Sequence, residues 1–185
     1  GLSPAPIEYG PGITTLNVNT GTSGGGGVTV AINNTQAGTT TVFTGGANQN
    51  VFNLAYATEG GGLSNLPGPV VIHGGASGAD AVTLHDSFEI ANDNYTITSS
   101  TVSRANFGGL TYDGLGALTL NAENNVGLGG DNTIDINSTA DGVATTVNGQ
   151  GGVDTINVNG TGAGSGTLII STGLRGGSTV NVVAN

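Results

Sequence analysis

The chain has no cysteine, lysine, methionine or tryptophan. Without cysteine there is no disulfide, no thiol nucleophile and no thiolate metal site. Its two cations, Arg104 and Arg175, face twelve acids, for a net charge of −10. Nucleic-acid binding needs clustered cations to neutralise phosphates, so that class is excluded. Attraction to anionic membrane surfaces fails for the same reason. No apolar run is long enough for a transmembrane helix, so membrane insertion is not expected. Alanine, leucine and glutamate are too scattered to sustain a helix over three turns. A chain with these absences reads as one built for exposure outside the cell or on its surface. Residue 1 is Gly rather than Met, the mark of a removed leader or of a piece of a longer protein.

What the chain does have is glycine, 36 residues of it, placed in a recurring frame. Gly149-Gln150-Gly151-Gly152-Val153-Asp154-Thr155-Ile156 has glycine at positions one and four, aspartate at six and an apolar residue at eight. Gly75 to Val82 repeats it, with Asp80 at six. The runs from Gly45, Gly127 and Gly173 follow with Asn50, Asn132 and Ser178 at six. Each glycine-rich turn leads into an apolar-polar-apolar triplet such as Phe52-Asn53-Leu54 or Ile156-Asn157-Val158. Period-two alternation between turns predicts short strands with one face buried.

A longer repeat contains the short one. Leu16, Val30 and Phe52 match Leu120, Ile134 and Ile156 at one offset (120 − 16 = 134 − 30 = 156 − 52 = 104). Val82 then matches Val180 at 98 (180 − 82), so the second copy lacks six residues (104 − 98), in the loop spelled Glu59 to Pro69 in the first. Turn-strand units in series predict an all-β fold, a parallel β-solenoid of the β-helix or β-roll kind. Its coils of about 22–24 residues bury their apolar sides by stacking. The expected organisation is one continuous rod: repeat one over 1–86, an elaborated coil or side hairpin over 87–106, and repeat two over 107–185. Val30, Phe52, Val82, Ile134, Ile156 and Val180 are expected in buried rows.

The glycine-aspartate turns resemble the calcium-binding repeats of secreted bacterial toxins and adhesins, whose consensus is G-G-x-G-x-D-x-U-x. Gly149 to Asn157 and Gly75 to Thr83 match best. The resemblance implies a β-roll in a large surface protein, with Ca²⁺ held by turn carboxylates and backbone oxygens. Carried over position by position, it makes Asp154, Asp131 and Asp80 the candidate metal ligands. Position six is acidic in only two of the six units (Val28, Asn50, Asp80, Asn132, Asp154, Ser178), so no cofactor is required and calcium is a secondary expectation.

Catalysis is not expected. A β-solenoid carbohydrate enzyme needs paired carboxylates or an acid with a nearby base. Here Glu8, Glu59, Glu89 and Glu123 show no pairing, Arg104 stands among uncharged neighbours and Arg175 lies in a glycine turn. Threonine runs such as Thr39-Thr40-Thr41 suggest an ice-binding face as a lesser alternative. The terminal segments carry strand pattern without an evident cap, which leaves an excised scaffold piece or a subunit that pairs with its own copies. The primary expectation is a structural extracellular protein that joins head to tail into a filament or surface layer, its partner being itself. The expected interface is Ile7 and Tyr9 at one end and Thr179, Val180, Asn181, Val182 and Val183 at the other. A calcium-stabilised adhesin segment is the main alternative.

Overall fold

Alternating apolar residues between glycine turns do become strands. The structure is a computed structural model that describes residues 7–21, 26–56, 62–75, 79–89, 91–122, 130–164, 166–173 and 176–183. Glu59, Glu123 and Arg175 lie outside these. In the first repeat the strands are β1 (Thr15–Asn19), β2 (Thr29–Ile32), β3 (Thr40–Thr44), β4 (Val51–Leu54), β5 (Val70–His73) and β6 (Asp80–His85). A middle group follows: β7 (Asn94–Ile97), β8 (Thr101–Ser103) and β9 (Leu110–Asp113). The second repeat holds β10 (Leu115–Asn121), β11 (Thr133–Ile136), β12 (Ala144–Asn148), β13 (Thr155–Val158), β14 (Leu168–Ser171) and β15 (Thr179–Val182). A single 3-10 turn, Leu63–Asn65, is the one described helical element.

The fold is all-β, with two mostly parallel sheets. One has nine strands in the order β1-β3-β5-β9-β8-β7-β11-β13-β15, and the other six, β2-β4-β6-β10-β12-β14. Outside the middle group, successive strands alternate between the sheets, and each pairs in parallel with a strand of the next turn of chain. The 104-residue repeat is real in the strands: β1 to β4 map onto β10 to β13. The shorter loop falls where expected, since 55–69 holds 15 residues and 159–167 holds 9 (15 − 9 = 6).

Two features were not foreseen. The middle group does not project sideways. β8 runs antiparallel between β7 and β9 inside the nine-stranded sheet, while β9 pairs with β5 and β7 with β11 in parallel. Moreover, the two repeats exchange sheets. β2, β4 and β6 lie in the six-stranded sheet, whereas their counterparts β11, β13 and β15 lie in the nine-stranded one. Six alternating strands plus one net visit to the larger sheet make an odd number, so the second repeat starts on the opposite wall.

The expected core therefore divides into two rows. Val30, Phe52 and Val82 stack along the smaller sheet. Ile134, Ile156 and Val180 stack along the larger. Phe52, Val82, Ile134 and Ile156 are buried, but Val180 is 41% exposed because β15 is an edge strand. Gly152 shows why its turn needs glycine: its φ is +78°, and a Cβ there would lie 2.3 Å from the Gly130 carbonyl oxygen.

Two threonines interrupt the apolar rows at equivalent places (145 − 41 = 104). Thr41 and Thr145 are buried, 3% and 1% exposed, and neither hydroxyl has a hydrogen-bond partner. Thr145 sits between Leu118 and Leu168. A buried hydroxyl without a partner keeps its desolvation cost. Thr145→Val retains the branched shape and removes that cost, so it is expected to raise stability by about 1 kcal/mol. Thermal unfolding measures this, and a lower melting temperature would contradict it.

Candidate functional site

The residues at frame position six stand where each turn enters its strand, and they bond to one another across turns. Asn50 donates its backbone N–H and its side-chain amide to Asp80 Oδ1, at 2.7 and 3.0 Å. Val28 N–H donates to Asn50 Oδ1 at 3.2 Å. The second repeat builds the same ladder on the other sheet. Asn132 donates both groups to Asp154 Oδ1 at 3.0 and 3.2 Å, and Asp154 N–H donates to Ser178 Oγ at 3.0 Å. Asp93 N–H extends the ladder by donating to Asn132 Oδ1 at 3.1 Å. Asn50, Asp80, Asn132 and Asp154 are all buried. The glycine at frame position one makes room: a Cβ on Gly45 would lie 2.1 Å from Asp80 Oδ2, and one on Gly149 2.3 Å from Asp154 Oδ2.

This geometry bears on calcium, a hard cation that takes six to eight oxygen ligands. Asp80 directs Oδ1 at Asn50 and Oδ2 at the Gly75 N–H, 2.8 Å away. Asp131 accepts Val153 N–H at 2.7 Å, and Asp154 Oδ1 is taken by Asn132. N–H groups thus take both oxygens of Asp80 and one oxygen each of Asp131 and Asp154. Asp131 and Asp154 are electrostatic neighbours, but Asp80 belongs to a strand of the other sheet. Among the described residues no group of three or more acidic, histidine or cysteine side chains is arranged to hold a metal ion. The described carboxylates do not assemble the oxygen set that calcium takes.

The two ladder aspartates differ in one respect. Asp154 Oδ2 is buried and has no partner, and burial pushes the Asp154 carboxyl above the usual carboxylate range. The folded state then holds this proton more tightly than the unfolded chain. Its charge penalises the fold at neutral pH, and the penalty disappears as pH falls through the raised value. The first repeat has Asn50 at the matching place. Asp154→Asn keeps the acceptor for Asn132 and removes the charge. It is expected to raise the melting temperature at pH 7, with the gain shrinking to nothing below about pH 4. A gain that is the same at both pH values would contradict this.

A second polar cluster occupies the middle group. Arg104, with 2% of its side chain exposed, places Nε 2.7 Å from Asp86 Oδ2 and donates from Nη2 to Asp86 Oδ1 at 2.9 Å. Glu89 and Asp93 lie 3.2 and 3.6 Å from the guanidinium. Asp86 also accepts the Tyr95 hydroxyl at 2.6 Å and the Leu63 N–H at 2.7 Å. Burial raises the Asp93 carboxyl, an effect the Arg104 charge opposes, and it pushes the Tyr95 phenol far upward. The expectation that Arg104 and Glu89 are unpaired is therefore corrected. A signal was present in the sequence: of the twelve acids, Glu89 and Asp93 precede the arginine within the unrepeated segment and Asp86 stands directly before that segment. Their convergence needed the hairpin.

The two histidines do not meet. His73, on β5, pairs with Asp113 at 2.9 Å, while His85, on β6 of the other sheet, packs its ring 5.0 Å from that of Tyr56. Ile7 and Tyr9 line an open hollow of about 550 Å³ with Thr35, Gln36 and Pro67, and among the described residues its one carboxylate is Glu8. The Tyr9 hydroxyl accepts Gln36 N–H at 3.2 Å. The other expected interface residues form an open edge. β15 pairs with β13 on one side and with no described strand on the other. All four of its residues are exposed, as is Val183 beyond it; Val182 is 70% exposed. No family model matches the chain, and no curated protein or solved structure is significantly similar to it.

Proposed function

We propose that this protein is a structural, extracellular β-solenoid whose copies associate end to end into a filament or surface layer. The alternation of strands between two sheets and the turn-by-turn ladders support the solenoid reading. Its composition supports exposure outside the cell. The observation that carries the assembly reading is β15: an edge strand with outward-open valines and no charged residue. Lysine is the common guard against edge pairing, and this chain has none. The charge of −10 keeps the flanks of rods apart while uncharged edges meet.

Sedimentation and electron microscopy of the purified protein over a range of concentration test this. Concentration-dependent growth along one axis is expected, and Val182→Lys should suppress it. A protein monomeric at the highest concentration would end the assembly reading. Calcium should leave the melting temperature unchanged; a rise of many degrees would favour the adhesin alternative.

A further inference from the structure

We infer that the assembly joint is a parallel pairing of β15 with β1 of the next copy, Val180 beside Leu16, Asn181 beside Asn17 and Val182 beside Val18. This rests on the end-to-end reading above and specifies its partner strand and register.

The molecule already contains one joint of this kind. β6 closes the first repeat and β10 opens the second, and they pair in parallel with Val82 beside Leu118 and Leu84 beside Leu120. By the repeat, β15 corresponds to β6 (180 − 82 = 98) and β1 to β10 (120 − 16 = 104). The tail of one repeat is thus stacked on the head of another within the chain. One further tail, β15, and one further head, β1, stand at opposite edges of the same nine-stranded sheet. Pairing them across copies is a heterologous contact that repeats indefinitely.

The side chains select the register. Copied unchanged, the internal register would put Val182 on Leu16 but Val180 on the polar Thr14 (118 − 104 = 14). A slide of two residues keeps every inward side chain inward. It sets Val180 on Leu16 and Val182 on Val18, covering both exposed valines. The pattern Thr-apolar-Asn-apolar is then continuous through β13, β15 and β1.

An amide ladder on the outer face agrees. Asn157 Nδ2 donates to Asp135 Oδ1 at 2.7 Å, and Asn181 Nδ2 donates to Asn157 Oδ1 at 2.8 Å. Each later strand donates to the earlier one, so Asn181 Oδ1 is left to accept from a strand beyond. Asn17 lies beside Val42 and makes no side-chain hydrogen bond among the described residues. Its amide is a donor of the matching polarity at the opposite edge.

The absence of cysteine makes the test direct. Adjacent strands lie about 4.8 Å apart, within the Cα separation a disulfide spans. Asn17→Cys and Asn181→Cys proteins, mixed and oxidised, should yield a 17–181 linked dimer as the main product, identified by mass spectrometry of the linked peptides. Asn181→Cys alone linking as readily would mean a two-fold contact between β15 strands and would overturn the joint. Preferential linking of Thr15→Cys with Asn181→Cys would overturn the register. If the unsubstituted protein assembles but no mixture links, the joint is wrong and the assembly stands. If it stays monomeric, both fall.

Discussion

Replacing Arg104 with alanine is expected to destabilise the protein by about 3–5 kcal/mol, the range seen when one partner of a buried ion pair is removed. Asp86 is fully buried, with the Arg104 fork as its charge partner. Without it, that carboxylate keeps the Tyr95 hydroxyl and the Leu63 N–H but loses its counter-charge. Glu89 and Asp93 then add like charge nearby. The effect is large because Asp86 bonds groups from distant parts of the chain: the 3-10 turn, β7 and the segment after β8. Arg104→Lys should fall between the two, since an ammonium keeps the charge but not the planar fork. Urea unfolding of the three proteins measures the order. An Arg104→Ala protein as stable as the parent would show that the cluster does not hold the middle strands.

Asp80→Ala is expected to cost about 3 kcal/mol or more. It strands the buried N–H of Asn50 and removes one acceptor each from the Asn50 amide and the half-buried Gly75 N–H, and a buried donor without a partner costs about 1–3 kcal/mol. The contrast with Asp154 sharpens the test. Asp80→Asn turns an NH2 towards the Gly75 N–H and loses a bond, so it should be unfavourable. Asp154→Asn meets no donor at Oδ2 and should be tolerated or better. Equal effects of the two asparagine substitutions, read by thermal unfolding, would contradict the ladder assignments.

Much of this was legible in the residues because period-two alternation is a local property. The eight triplets aligned by the long repeat lie in strands, from Leu16-Asn17-Val18 in β1 to Val180-Asn181-Val182 in β15. Position six of the glycine frame was visible as a recurring Asp or Asn, yet its partner was not. The residue that bonds Asp154 Oδ1 lies 22 positions away at Asn132, and only the stacking of the strands brings the two together. The Arg104 cluster was missed for the same reason. The spacing of Asp86, Glu89 and Asp93 carries no direction until β7 and β8 fold back on each other.

By itself the sequence determined the strands, the turns, the two-fold repeat and the place of the six-residue deletion, because each depends on the order of apolar, polar and glycine residues over short spans. Its charge and cysteine count also set which broad partners are not expected. Only the tertiary structure decided which wall each strand joins. That choice depends on how many times the chain crosses, and the antiparallel excursion of β7 to β9 changes the count. The same excursion moved the second repeat to the opposite sheet and made β1 and β15 the two edges of one sheet. No local pattern carries that information, because sheet order is set by long-range pairing.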